Sequence, residues 1–294
     1  MMQPQGVLYI VSTPIGHLKD VSLRALEVLN ACDRILVEDT RHSAHFLNTY
    51  GIHKPLCAFH DHNERQMVEK VISYIRSGEK IALISDAGTP LVSDPGFHLV
   101  KALREQSLSV VPIPGACALV CALSASGLPT DSFLFSGFLS AKRPARLDRL
   151  RELSQEKSTL VFYESPHRII AMLEDACDVF GVDRLATVAR ELTKQFETVL
   201  HGSLGVLLSQ VQSDSKQTLG EFVVCIEGYQ APVLSPDECL TAQEQTWLDE
   251  LMPHIAPAQL AQIMARQFKQ TKKRYYSAIS NQKHAQSIEG SSPD

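Results

Sequence analysis

The chain has 294 residues, of which 44% are hydrophobic and 21% charged, and its formal net charge at neutral pH is −5. This composition is typical of a soluble globular protein, and the length accommodates two domains and an extension. The net negative charge excludes general coating of nucleic acid, although a local basic surface can still bind it.

No apolar run approaches the length of a membrane span, and the first residues lack the pattern of a signal peptide. We therefore expect a cytoplasmic protein with no membrane partner. Seven cysteines without a C-x-x-C pair predict free thiols rather than a disulfide framework or a metal site. We expect no bound metal.

The first half of the chain alternates short apolar runs with amphipathic segments. Strands are predicted at 7–11, 34–37, 56–59, 80–84 and 108–112. Helices are predicted at about 21–31, up to about 76, at 97–104 and up to about 125. Such βα alternation predicts a mostly parallel sheet with a site at the edge where its strands end.

The segment 85–96, Ser-Asp-Ala-Gly-Thr-Pro-Leu-Val-Ser-Asp-Pro-Gly, follows one of these strands and precedes a helix. Gly88 and Gly96 would permit close backbone approach to a ligand, and Asp86 and Asp94 bring carboxylates to the turn. The segment matches neither the dinucleotide nor the nucleoside-triphosphate fingerprint. By itself it is equally consistent with a tight turn that binds nothing.

The pattern changes after 127–130, which we interpret as a linker. Strands are predicted at 132–135, 159–163, 185–189, 198–200 and 221–226, with helices near 145–156, 166–178 and 203–212. Because strands follow one another more often here, a second α/β domain with a mixed sheet is predicted. A second linker is predicted at 229–236, followed by helical segments around 260–268 and 275–279.

A polar motif, Glu-Ser-Pro-His-Arg, follows the strand at 159–163. Ser165 is predicted as a helix N-cap and Pro166 as the first helical residue. Capping does not account for Glu164, His167 and Arg168, which either line a cleft or lie on the surface.

Basic residues accumulate in three other places, each with two interpretations. Arg190 and Lys194 belong either to a cleft or to a surface ion-pair network. The run 142–151, which contains Arg143 and Arg146, is either an ordinary helix face or an RNA-facing patch. The basic segment between Glu250 and Glu289, free of acidic residues, is either a solvated surface or a phosphate-docking one.

Taken in order, the motifs at the strand ends resemble those of the ribosomal RNA small-subunit methyltransferase I family, a branch of the tetrapyrrole-methylase superfamily. The motifs are Ser12-Thr-Pro-Ile-Gly16, Glu38-Asp-Thr-Arg41, 85–96, Pro114-Gly-Ala116, Gly137-Phe-Leu139, Phe162-Tyr-Glu-Ser-Pro-His-Arg168 and Ala189-Arg-Glu-Leu-Thr-Lys194. The resemblance implies two α/β domains of tetrapyrrole-methylase type, 1–126 and 127–232, with a cofactor cleft between them. A basic helical extension at 233–286 and a disordered tail at 287–294 are expected to follow.

The resemblance also implies a homodimer that binds S-adenosylmethionine (SAM) and methylates the ribose 2′-hydroxyl of a cytidine in the decoding region of 16S rRNA. It places these residues against SAM: Pro14, Gly88, Thr89, Pro90, Val92, Cys117, Ala118, Tyr163 and Leu192. Candidates for the base that takes the hydroxyl proton are Glu38, Asp39 and Glu164. Residues expected to bind RNA are Arg41, Arg168, Arg190, Lys194, Arg143, Arg146, Lys272, Lys273 and Arg274.

Two other functions are compatible with these motifs. One is methylation of a tetrapyrrole or another small acceptor, although this chain has Gly88-Thr-Pro90 where related porphyrin-pathway enzymes carry Gly-Asp-Pro. The basic runs also argue against it, since a small acceptor gives them no purpose. The other is a SAM-binding regulatory module without catalysis, because binding loops look alike with or without a catalytic base.

Overall fold

A computed structural model of the chain describes residues 6–230 and 240–289. The chain divides into two compact units, Met1–Tyr229 and Gln230–Asp294. Both sheets of the structure lie in the first unit. The second linker, predicted at 229–236, lies outside the described residues from 231 onward.

The first sheet is fully parallel, as predicted. Its strands are β1 (Val7–Val11), β2 (Arg34–Val37), β3 (Leu56–Ala58), β4 (Lys80–Leu83) and β5 (Ser109–Ile113), in the order β3-β2-β4-β1-β5. The accompanying helices are α1 (Leu23–Ala31), α2 (Thr40–Thr49), α3 (Glu64–Arg76), α4 (Phe97–Glu105) and α5 (Ala118–Ala125). Because the strands are parallel, the segments that follow β1, β2, β4 and β5 meet at one edge.

Both faces of this sheet are covered by helices. Leu8, Leu36 and Ile81 pack against α3 and α4, whereas Val11 and Ile35 pack against α1 and α2. Burial on both faces explains why the strands are nearly continuous apolar runs. Among these five helices only α2 was not predicted, because its buried positions are few and its other residues polar.

The second sheet is mixed, which confirms the sequence prediction. Its strands are β6 (Phe133–Phe138), β7 (Thr159–Glu164), β8 (Leu185–Arg190), β9 (Thr198–Ser203) and β10 (Phe222–Ile226), in the order β6-β7-β10-β8-β9. Strands β6 and β7 are parallel and the other neighbours antiparallel. Its helices are α6 (Arg143–Glu152), α7 (Ile169–Phe180) and α8 (Leu204–Ser213).

Helix α5 connects the two sheets. Leu119, Ala122 and Leu123 of this helix pack against Val161 and Val223 on one face of the second sheet, while α6, α7 and α8 cover the other face. Since α5 follows β5 directly, this packing brings the strand ends of the first sheet next to the second sheet.

The predicted cap of α7 is wrong. The helix begins at Ile169 with Arg168 as its N-cap, so Ser165 and Pro166 lie in a turn before it. The turn is held by side chains: Arg168 donates from Nε to Ser165 Oγ at 3.1 Å and pairs with Glu164 at 2.7 Å. Helix α7 therefore begins three residues later than predicted.

Arg146, expected to bind RNA, instead belongs to the fold. Its side chain is 5% exposed and donates to Asp175 Oδ2 at 2.7 Å, while Arg143 donates to Asp175 Oδ1 at 2.8 Å. Asp175 is itself almost fully buried. We therefore remove Arg146 from the residues expected to contact RNA.

The described part of the second unit contains three helices, α9 (Ala242–Leu251), α10 (Pro257–Gln267) and α11 (Lys272–Glu289). Leu248, Leu260 and Met264 are in its core. Helix α9 has no counterpart among the predicted helices. Residues 287–289, expected to be disordered, are helical, and 290–294 lie outside the described residues. No helix in the described part of the chain is long and apolar enough to cross a membrane.

A polar network is buried in this unit. Glu244 accepts hydrogen bonds from Arg274 and Tyr275 and closes a capping box with Thr241. Burial raises the pKa of Glu244, but the hydrogen bonds from Tyr275, Thr241 and Arg274 outweigh it and bring the pKa to about 2. Arg274 therefore holds the helices together, and we remove it from the residues expected to contact RNA.

Candidate functional site

A cavity of about 490 Å³ is lined by residues that follow β1, β2, β4 and β5 and by residues of the second sheet. Most of the residues expected to contact SAM line it: Gly88, Thr89, Val92, Cys117, Ala118, Tyr163 and Leu192. Pro14 and Pro90 are not among the lining residues, but each is the chain neighbour of one that is. One cavity thus brings together residues from three sequence motifs, 85–96, 162–168 and 189–194, with the two residues that follow Pro114-Gly-Ala116.

Hydrogen bonds fix the loops of the first sheet to one another. Thr13 and Gly88 form an isolated bridge, with Thr13 N donating to Gly88 O at 2.8 Å. Thr89 Oγ1 lies 2.9 Å from Ser12 Oγ and donates to Ala116 O at 3.0 Å. Gly88 has a φ of 87°, which a glycine adopts without strain.

Two loops at the cavity carry backbone strain. Leu91 and Ser93 have φ values of 72° and 67°, and Glu191 and Thr193 have values of 50° and 65°. Non-glycine residues in this region cost on the order of 1 kcal/mol or more each and persist where the surrounding structure holds them. Such strain concentrates at functional sites, and these loops flank Val92 and Leu192 of the cavity.

Tyr163 connects the second sheet to α5. Its hydroxyl oxygen accepts a hydrogen bond from Leu119 N at 3.1 Å, and burial together with the neighbouring Cys117 raises the pKa of the phenol. The ring packs edge to face against Phe135 and Phe138, with centroids 4.8 and 5.6 Å away. Tyr163 is therefore a neutral, rigid part of the wall.

Several carboxylates line the same cavity. Burial, with Asp86 nearby, raises the pKa of Glu38. Burial also raises the pKa of Asp94 from 3.8 to about 6; Glu38 and Asp86 add to this shift, and Ser85 opposes it. A carboxylate that gains a proton near neutral pH has the acidity expected of a general base.

The other two predicted bases are less suited to that role. Asp39 is the N-cap of α2: its carboxylate accepts from the backbone N–H groups of Arg41 and His42, and these bonds lower its pKa. Glu164 lines the cavity, but its carboxylate is 1% exposed. Its Oε1 accepts from Ser165 N and pairs with Arg168, and Oε2 is enclosed without a hydrogen-bond partner among the described residues.

The basic residues expected near the cleft differ in exposure. The side chain of Arg41 is 92% exposed, whereas Arg190 is buried and donates to Phe196 O. Lys194 bridges two carboxylates, Glu191 and Glu221, at 2.9 Å each. Arg168 donates to Glu164, to Ser165 and to the backbone oxygen of Leu139 between β6 and α6. Of these four basic residues, Arg41 therefore has the most accessible charge.

Several lining residues have no role predicted from the sequence, namely Ile15, Ser93, Asp94, Phe138, Glu221 and Val223. Asp94 stood out as a carboxylate of the loop at 85–96, and Phe138 belongs to the Gly-Phe-Leu motif. Glu221 and Val223 gave no signal, because β10 enters the site only through its antiparallel pairing with β7 and β8.

These residues fit a cofactor with a flat base and a cationic sulfonium. The volume lies within the usual range for small-molecule sites. Ala118, Leu192 and Val223 offer apolar contact for a base, and the carboxylates suit positive charge. Within the described ranges, no cluster of three or more His, Cys, Asp or Glu side chains is arranged to hold a metal ion.

Two solved structures share this architecture. Uroporphyrin-III-C-methyltransferase from Thermus thermophilus aligns with a TM-score of 0.55 at 20% identity, over 76% of this chain and 94% of that one. The methyltransferase CobJ aligns with a TM-score of 0.57 at 17% identity, over 79% and 98% of the two chains. This likeness shows that the chain has the two-sheet α/β fold of those structures.

The family model of Tetrapyrrole (Corrin/Porphyrin) Methylases matches residues 7–208. Ribosomal RNA small subunit methyltransferase I of Pseudomonas aeruginosa is 48% identical over 88% of this chain and 92% of its own length. The protein of the same name from Escherichia coli O157:H7 is 51% identical over 77% of this chain and 79% of its own. The chain belongs to the tetrapyrrole methylases and, within them, to the ribosomal RNA small subunit methyltransferase I family.

Proposed function

We propose that this protein transfers a methyl group from SAM to the ribose 2′-hydroxyl of a cytidine in the decoding region of 16S rRNA, within the small ribosomal subunit. The observation that carries the proposal is the single cavity that gathers seven of the nine expected cofactor residues beside Glu38 and Asp94. The names of relatives about 50% identical support the RNA substrate. We further propose a homodimer, which light scattering of the purified protein can test.

In this proposal the loops of the first sheet and the wall of the second hold SAM. When bound, SAM supplies a methyl group that its sulfonium already activates. Gly88 and Thr89 present backbone groups from one side, and Leu192 and Ala118 give apolar contact. The rigid loops position the acceptor hydroxyl, which provides most of the catalysis in an in-line displacement.

We propose that the proton of the 2′-hydroxyl is accepted by one member of the pair Asp94 and Glu38. Both line the cavity, and burial raises the pKa of both. Asp94 is the first candidate, because its pKa of about 6 leaves it ionised at neutral pH yet more basic than an ordinary carboxylate. Asp39 and Glu164, which were predicted from sequence together with Glu38, are committed to the cap of α2 and to Arg168.

Transfer of labelled methyl from SAM tests the function. The acceptors are small ribosomal subunits from a strain lacking this protein, naked rRNA and a porphyrin precursor, assayed in parallel. We expect label on the subunits that maps to the ribose of one cytidine. Label confined to the porphyrin would contradict the RNA substrate, and bound SAM without transfer to any acceptor would favour a regulatory module.

Replacement of Gly16 by alanine is expected to weaken SAM binding by about tenfold or more. A Cβ at Gly16 would lie 2.8 Å from Thr193 Oγ1 and 3.2 Å from Leu192 O, so it would displace the loop that carries Leu192. Such overpacking costs about 1–3 kcal/mol. Titration calorimetry with SAM gives the affinity.

The matched control is Gly202→Ala, whose new Cβ would make ordinary contact 3.6 Å from Val206. The control should leave SAM affinity unchanged. Equal affinity in the Gly16 and Gly202 variants would contradict the assignment of the loop at 192–194 to the cofactor site.

Charge reversal in the second unit is expected to weaken binding to the ribosomal subunit. Lys272 and Lys273 are exposed at the start of α11. In the variant with both lysines replaced by glutamate, we expect the negative slope of log affinity against log salt to become less steep by about one per lysine, because fewer phosphates are neutralised. SAM affinity should not change.

Lys101→Glu is the control, since Lys101 is an exposed lysine on α4 of the first unit. Its salt dependence should match that of the unmodified protein. An unchanged slope in the double variant would remove the second unit from the RNA-binding surface.

A further inference from the structure

Phe138 is an exposed aromatic side chain at the cavity. It is 54% exposed, whereas the four residues before it in β6 are half-buried. It lines the cavity with Tyr163 and Asp94. The Gly-Phe-Leu motif that contains it has no part in the proposed cofactor contacts or the proposed proton transfer.

The backbone around Phe138 is shaped to present this ring. Between Phe135 and Phe138, strand β6 advances three residues while its partner β7 advances two, from Val161 to Tyr163. This is a β-bulge, a feature that re-aims a side chain and is frequent beside active sites. Gly137 sits in the bulge with a φ of 61°, which favours glycine.

The ring also has a fixed aromatic neighbour. Tyr163 packs edge to face against Phe138 and, in the same geometry, against Phe135. Leu119 N fixes the Tyr163 hydroxyl at 3.1 Å. A rigid aromatic ring, open on one side, loses little conformational entropy when a planar group stacks on it.

We propose that Phe138 is a stacking platform for the base of the acceptor nucleotide. This inference rests on the proposed function. Reaching a ribose hydroxyl inside a cavity requires the nucleotide to leave its neighbours, and proteins hold such splayed bases on aromatic side chains. The exposure of Phe138 suits a large partner that enters from solvent, whereas the residues assigned to SAM are more deeply placed.

The test compares Phe138→Ala, Phe138→Leu and Phe138→Trp in the full-length protein. We expect kcat/KM for the small ribosomal subunit to fall about 10- to 100-fold in the alanine variant, the loss of one base–aromatic stack. The leucine variant, which keeps apolar bulk, should also be impaired, and the tryptophan variant should recover most of the activity. SAM affinity by calorimetry should stay within about twofold in all three.

Phe97→Ala and Phe196→Ala are controls, because each of these rings is 64% exposed and neither lines the cavity. Full activity in both the alanine and leucine variants of Phe138 would overturn the inference. Full activity in the leucine variant together with an impaired alanine variant would also overturn it, because apolar bulk would then be sufficient. A loss of SAM affinity that matches the loss of activity would assign the ring to the cofactor instead. If the unmodified protein transferred no methyl to RNA, the proposed function would fail first.

Discussion

Asp94→Asn is expected to slow methyl transfer to the ribosomal subunit by about 10²- to 10⁴-fold, the usual contribution of a general base. In the unmodified protein, kcat/KM should rise with pH up to about 6 and then level off, because Asp94 must lose its proton before it can accept one. The variant should lack this rise. Rates between pH 5 and 8 at saturating SAM measure both effects.

The same substitution is expected to stabilise the fold. Burial raises the pKa of Asp94 from 3.8 to about 6, so the native state holds the proton more tightly than the unfolded state. The free energy of unfolding therefore decreases as the pH rises from about 4 to about 6. The full shift corresponds to at most about 3 kcal/mol, and solvent screening of a partly exposed carboxylate reduces this to about 1 kcal/mol. Asparagine removes this cost, so denaturant unfolding at pH 7 should give a higher free energy of unfolding for the variant than for the unmodified protein.

Asp61→Asn is the matched control, since Asp61 is an exposed carboxylate that acts on Asp94 only through its charge. It should change neither the rate nor the stability by a large factor. Glu38→Gln separates the two members of the pair. If Glu38 takes the proton, Asp94→Asn should leave the rate largely unchanged, and that result would contradict our first candidate.

Arg146→Ala is expected to lower the free energy of unfolding by about 3 kcal/mol or more. The substitution removes a partner of Asp175, whose side chain is 1% exposed, and an uncompensated buried charge is costly. Arg143 still pairs with the other oxygen of Asp175, which keeps the expected loss toward the lower end of the usual range. Chemical denaturation monitored by circular dichroism measures it.

Arg151→Ala is the control for that experiment. Arg151 lies in the same basic run and its side chain is 63% exposed, paired with Asp148 on the surface. Its loss should change stability by less than about 0.5 kcal/mol. A stable Arg146 variant with a lower salt dependence of RNA binding would instead restore Arg146 to the RNA-binding surface.

The local pattern of the chain was sufficient to predict the architecture. Each strand of the first sheet is a short apolar run followed by small and polar residues, so the βα alternation and the parallel sheet could be predicted from periodicity. The same strand-end motifs carried the family resemblance and seven of the nine cofactor residues now found at the cavity. These features are local, because a strand and the loop after it occupy one stretch of sequence.

Local patterns failed where polar side chains find distant partners. The caps were predicted wrongly at Ser165 because Glu164 and Arg168 hold the turn before α7. The basic run at 142–151 looked like one surface, yet Arg146 is buried against Asp175 on another helix. The identity of a residue determines its charge, whereas its exposure depends on which elements pack over it.

The sequence by itself determined two α/β sheets, the loops that meet at one edge and the methylase family. Only the tertiary structure decided which carboxylate has its pKa raised to about 6, which arginines are buried and which aromatic ring stays open. The physical reason is that desolvation and pairing arise between residues far apart in the chain. Asp94 becomes a candidate base through its burial near Glu38 and Asp86, a neighbourhood created by the parallel alignment of β2 and β4.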